Sequence, residues 1–178
     1  MILGMSLSTF TVVHVVLSLV GIASGVLVLL RPSASPKAWG LTTLFLVTTL
    51  AASVSGLLYL LLFPRFGMGH GIAIASLAVF LPTWLALYRH RLAGRWRQTW
   101  VVGATTLLYL NGFIAVMQAF GKMRFLRALE PTPLSPLLLA HLLLVAACLW
   151  LCLHAWAGLQ SPAERAKARA LRVADRWS

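Results

Sequence analysis

The sequence predicts an all-α integral membrane protein. Its bundle of five transmembrane helices runs N-out and C-in, and a C-terminal amphipathic surface helix follows. Three observations predict this. Of 178 residues, 60% are hydrophobic and 10% charged, against roughly a quarter charged in a soluble domain. The three acids, Glu130, Glu164 and Asp175, all lie outside the apolar runs. The apolar residues fall into five runs of about the 20 residues that a helix needs to cross a bilayer.

The runs cover about 8–30, 39–63, 70–88, 99–120 and 135–158. Arg31-Pro32 closes the first and Pro64-Arg65 the second. Charge, proline or glycine bounds each of the others, as expected where a helix leaves the hydrocarbon. Pro82 falls inside the third run and is expected to kink it. No Lys or Arg precedes Arg31, so the first run lacks the basic segment of a cleavable signal and reads as a span that stays. Residues 1–160 form the bundle and residues 161–178 a separate tail. In the tail, Ser161-Pro162-Ala163-Glu164 reads as a capping box with proline at the first helical position. Arg165, Arg169, Arg172 and Arg176 then share one side of a helix, and Ala166, Ala170, Val173 and Trp177 share the other. Such a helix is expected to lie on anionic headgroups at the inner membrane surface.

The orientation follows from the basic residues. The segment before the first run, 64–69 and 121–134 together carry four Lys or Arg, whereas 31–38, 89–98 and the tail carry eleven. The positive-inside rule places the second set in the cytoplasm. Trp39, Trp84, Trp96, Trp100, Trp150 and Trp156 fall near that same end of their runs, where an aromatic belt sits. The net charge of +12 therefore encodes topology, and a nucleic-acid partner is set aside because the charges are spread over short inter-span segments. Cys148 and Cys152 stand one turn apart within one run, a poor geometry for a disulfide, and read as small buried apolar residues.

Candidate chemistry gathers in the outer half. His14, Ser18, Gly21 and Gly25 form one helical stripe. A histidine at that depth needs a partner. His141 lies at matched depth in the fifth run, while Asn111 and Gln118 share a face of the fourth. Four readings apply. His14, Asn111, Gln118 and His141 hydrogen-bond across helices and hold the bundle together. His14 and His141 ligate a b-type haem. The same four residues line a cavity for a small ligand such as a quinone headgroup. Met68 and His70, in Met68-Gly69-His70, bind copper(I) through thioether and imidazole. The apolar runs hold no Asp, Glu, Lys or Arg, which argues against an ion-coupled transporter. No nucleophile with an oriented base, phosphate-binding glycine loop or zinc spacing appears, so no enzyme is predicted. Gly21-x-x-x-Gly25 and Ala52-x-x-x-Gly56 read as close helix packing.

Four segments within 95–136 carry a resemblance: Trp96-Arg97-Gln98-Thr99-Trp100-Val101-Val102, Leu108-Tyr109-Leu110-Asn111-Gly112-Phe113, Gln118-Ala119-Phe120-Gly121-Lys122 and Leu129-Glu130-Pro131-Thr132. Together they resemble an uncharacterised family of small multi-span bacterial inner-membrane proteins, which Val13-His14 also fits. The chain departs from that pattern at Arg124, where proline is expected. The resemblance implies a bacterial cytoplasmic membrane location and marks Asn111, Gln118 and Lys122, but implies no reaction. The expected function is that of a membrane subunit or scaffold with a polar cluster in its outer half. Its expected partners are lipid, further copies of itself or a larger membrane complex.

Overall fold

The five apolar runs fold as five long helices, each long and apolar enough to cross a membrane. The structure is a computed structural model, and it describes residues 4–32, 39–61, 66–129 and 135–160. The expected amphipathic helix at 161–178 lies outside the described residues.

Helix α1 (Leu7–Leu30) starts where the Ser6 side chain accepts from Thr9 N–H at 3.1 Å. It stops at Arg31, whose N–H reaches Leu27 O, because Pro32 has no N–H with which to continue. Helix α2 (Trp39–Leu58) tightens into a 3-10 turn at Tyr59–Leu61. Helix α3 (Met68–Trp84) contains Pro82 and widens into a π turn at Leu85–Arg89. Proline withholds a donor and crowds the carbonyl one turn back, and a wider turn re-satisfies the backbone. Helix α4 (Trp96–Lys122) is the longest. The linker after it holds a short helix α5 (Arg124–Leu129). Helix α6 (Pro136–Leu159) begins with Ser135 as cap and proline at its first position.

Helices α1, α2, α3 and α4 pack in sequence, and α4 returns to α1 to close a four-helix ring. Helix α6 lies outside the ring, along α4 and against α1. Glycines bring the helices together at three seams. Gly25 of α1 meets Phe45 and Leu108, Gly103 of α4 meets Thr83, and Gly112 of α4 meets Leu144. Small residues at such seams let backbones approach without a water-driven collapse.

The main apolar core, built on Leu29, Phe45, Val101, Leu107 and Leu108, fills the half of the bundle nearest the arginine-rich loops. Buried hydroxyls occur along the whole length of the bundle, from Thr42 and Thr83 near those loops to Ser55 and Ser76 towards the other end. Outward faces are apolar throughout: Val16, Leu19, Leu81, Leu143 and Leu153 all stand exposed. A belt of that kind suits helices solvated by acyl chains.

Candidate functional site

His14 enters the bundle because Gly56 leaves space for it. A Cβ added at Gly56 would sit 3.7 Å from His14 Cε1 and 3.6 Å from Ala73 Cβ, so α1, α2 and α3 converge on the imidazole. His14 Nδ1 lies 2.7 Å from Ser55 Oγ. The Ser55 hydroxyl donates its one proton to Ala52 O at 3.0 Å, and so accepts from His14. That assigns the neutral ring its proton on Nδ1 and leaves a lone pair on Nε2. The Tyr59 ring stands edge-on to His14 and to Phe10. Tyr59 Oη donates to Thr11 Oγ1 at 2.8 Å, and Thr11 donates onward to Leu7 O at 2.9 Å. Two side-chain bonds therefore cross the α1–α2 seam within one turn of each other.

Asn111 occupies the next level down. A Cβ at Gly21 would lie 3.2 Å from Asn111 Nδ2, 3.3 Å from Thr48 Oγ1 and 3.4 Å from Thr49 Oγ1. Thr48 bonds to carbonyls of its own helix, whereas Thr49 Oγ1 and Asn111 Nδ2 are buried without a partner in the structure. Contacts of Gly21 with Asn111 and of Gly25 with Leu108 fix α1 and α4 as antiparallel neighbours. Two turns further out on each helix, that register sets Gln118 level with His14. Gln118 itself is exposed.

His141 is on the other side of α4 and about one turn nearer the arginine-rich end, since it packs on Phe113 whereas His14 is level with Gln118. Its Nδ1 donates to Leu137 O of its own helix at 2.8 Å, and its ring packs on Phe113 at 4.7 Å between centroids. Phe113 follows Asn111 by two residues and so points about 200° round the helix from it. Helix α4 thus stands between His14 and His141, which share no neighbour among the described contacts. His141 Nε2 is buried and has no partner. Because both Nδ1 atoms donate, both rings present Nε2, the tautomer that a metal ligand takes, but they present it in separate environments. Among the described residues, no three His, Cys, Asp or Glu side chains are grouped to hold a metal ion.

The remaining candidates have local roles. His70 Nδ1 accepts the Gly67 N–H at 3.1 Å and caps the start of α3, and its ring packs on Phe66. Met68 is exposed. In the neutral ring that bond puts the proton on Nε2, so copper binding there through Nε2 would have to break the cap. One histidine of the other end has a role that the sequence did not suggest. His154 Nε2 donates to Leu30 O at 3.0 Å and caps the end of α1 from α6. Comparison of the chain with protein-family models, curated proteins and solved structures finds no match.

Proposed function

We propose that this chain is a small polytopic subunit or scaffold of a bacterial cytoplasmic membrane, N-out and C-in, whose intramembrane polar residues bind helices to one another. The observation that carries the reading is the pairing of His14 with Ser55, beside that of Tyr59 with Thr11, across the α1–α2 seam. Each interhelical bond of this kind contributes about 0.6 kcal/mol on average and up to about 1.7 kcal/mol. The tail at 161–178 is assigned to the inner leaflet on its charge pattern. The bundle then offers its exposed apolar faces to lipid, to a second copy or to a larger complex.

A second reading is favoured by Asn111 Nδ2 and Thr49 Oγ1, which are unpaired around the same glycine. Two buried polar atoms of this kind suit a small polar guest, and water is the smallest that would satisfy both. The haem reading has less support, since α4 separates its two candidate ligands.

The test is an absorption spectrum and elemental analysis of protein purified in mild detergent. A colourless, metal-free preparation, with His14→Ala melting at a lower temperature, is the expected result. A Soret band that disappears in His14→Ala and in His141→Ala would overturn it in favour of haem.

A further inference from the structure

At the level of Gly21, polar side chains of two other helices converge on one point. The three atoms nearest to the place a Cβ would take are Asn111 Nδ2 of α4 at 3.2 Å, Thr48 Oγ1 of α2 at 3.3 Å and Thr49 Oγ1 of α2 at 3.4 Å. Nothing apolar outside α1 comes as near. Thr49 is only 1% exposed. Its hydroxyl and the Asn111 amide nitrogen are both buried, and neither bonds to another group of the chain. Buried polar groups in folded proteins almost always find a partner, either in the chain or in ordered water. Asn111 is also the only asparagine in the sequence, and it stands where α4 comes back to α1.

The bonding capacities of the three groups select the partner. The Asn111 amide nitrogen only donates. Thr48 gives its one hydroxyl proton to carbonyls of its own helix, Leu44 O at 2.7 Å and Phe45 O at 3.2 Å, so towards Gly21 it only accepts. Thr49 can do either. An atom that joins Asn111 to Thr48 must therefore accept one hydrogen bond and donate another. A carbonyl oxygen, such as that of a quinone, cannot donate. An ammonium group cannot accept, and a metal cation would face the N–H of Asn111. A hydroxyl oxygen does both.

Among hydroxyl compounds, water alone brings no carbon to be fitted between side chains that close on a single point. We infer that α1, α2 and α4 are joined at Gly21 by one buried water. It accepts from Asn111 Nδ2, donates to Thr48 Oγ1 and bonds to Thr49 Oγ1. About three bonds are the usual complement of a buried water. Glycine is required because a methyl at this position would stand between the same three groups. Gly21 thus serves the water as well as close helix packing, and the four-helix ring closes through a polar joint.

The inference rests on the reading of this level as a site for a small polar guest, and its test tells the two apart. The full chain is labelled with side-chain 15N-asparagine, which yields the Asn111 amide alone, and is purified in detergent. Nuclear Overhauser cross-peaks between that amide and water are recorded, and organic molecules released on denaturation are identified by mass spectrometry. A water cross-peak is expected in the unchanged protein. It should be lost in Gly21→Ala while the amide resonances remain, and that variant should melt at a lower temperature. Gly21→Ser should also lose the cross-peak, because its hydroxyl takes the place of the water, and should melt above Gly21→Ala. If the alanine variant fails to fold, the serine variant carries the test. No cross-peak in the unchanged protein, or one that survives either substitution, would overturn the water. An organic guest released one-to-one from the unchanged protein but not from Gly21→Ser would overturn the water and leave the wider reading standing. Absence of both a cross-peak and a guest would overturn the two together.

Discussion

Gly103→Ala should destabilise the purified protein by about 3 kcal/mol, the upper end for overpacked interiors. A Cβ there would run into the Thr83 hydroxyl, and it would lie 3.0 Å from Thr83 Cβ. Rotating Thr83 does not relieve the second contact, because Cβ is fixed by the backbone of α3. The rotamer is held as well, since Thr83 Oγ1 donates to Val79 O at 2.7 Å and the side chain is fully buried. The methyl must push α3 and α4 apart. Thermal unfolding in detergent reads the loss directly. Adding Thr83→Ala should recover only part of it, because the Cβ–Cβ approach persists. An unchanged melting temperature would mean that the two helices do not meet at this seam.

Gly25→Ala should cost about 2 kcal/mol by the same mechanism. The new methyl would lie 2.7 Å and 2.9 Å from two ring carbons of Phe45 and 3.3 Å from a Leu108 methyl. Phe45 is completely buried and sits between α1 and α4, so its ring cannot swing into solvent. The expected loss is smaller than at Gly103, because a ring tilts more readily than a backbone moves. Phe45→Leu in the same chain should offset part of the loss, and a strictly additive pair would contradict the contact.

Most of the fold was legible because apolar runs bounded by arginine and proline admit few alternatives. The predicted runs and the observed helices agree to within a few residues at most ends. The glycines of the first and second runs were read as close-packing positions, and Gly21, Gly25 and Gly56 do lie in contact with neighbouring helices. Two local features were not legible. The helix α5 is only six residues long, too short for periodicity to register. The π turn after Pro82 depends on how the backbone re-satisfies itself, and residue types do not encode that choice.

The site was legible as a set of polar residues away from the arginine-rich end but not in its pairings. His14 and His141 were expected at one level, yet His141 packs on Phe113, five residues along α4 from the Gln118 that stands level with His14, and the sequence offered no way to see that α4 would stand between them. The partner of His14 was missed altogether. By residue type alone Ser55 does not stand apart from the other hydroxyls of the second run. A signal for it existed: His14 is as many residues before Leu30 as Ser55 is after Trp39, so an antiparallel pair sets them level. No such signal exists for His141, whose Nδ1 turns to a carbonyl of its own helix. A histidine one turn from any carbonyl always has that option.

The account rests most directly on the bond between His14 and Ser55, which a double-mutant cycle isolates. Unfolding free energies would be measured in one detergent for the unchanged protein, His14→Ala, Ser55→Ala and the double variant. A coupling of about 1 kcal/mol is predicted, within the range for polar pairs between membrane helices. Single-variant effects that simply add would show that His14 does not serve to join α1 to α2, and would contradict the structural role assigned to it.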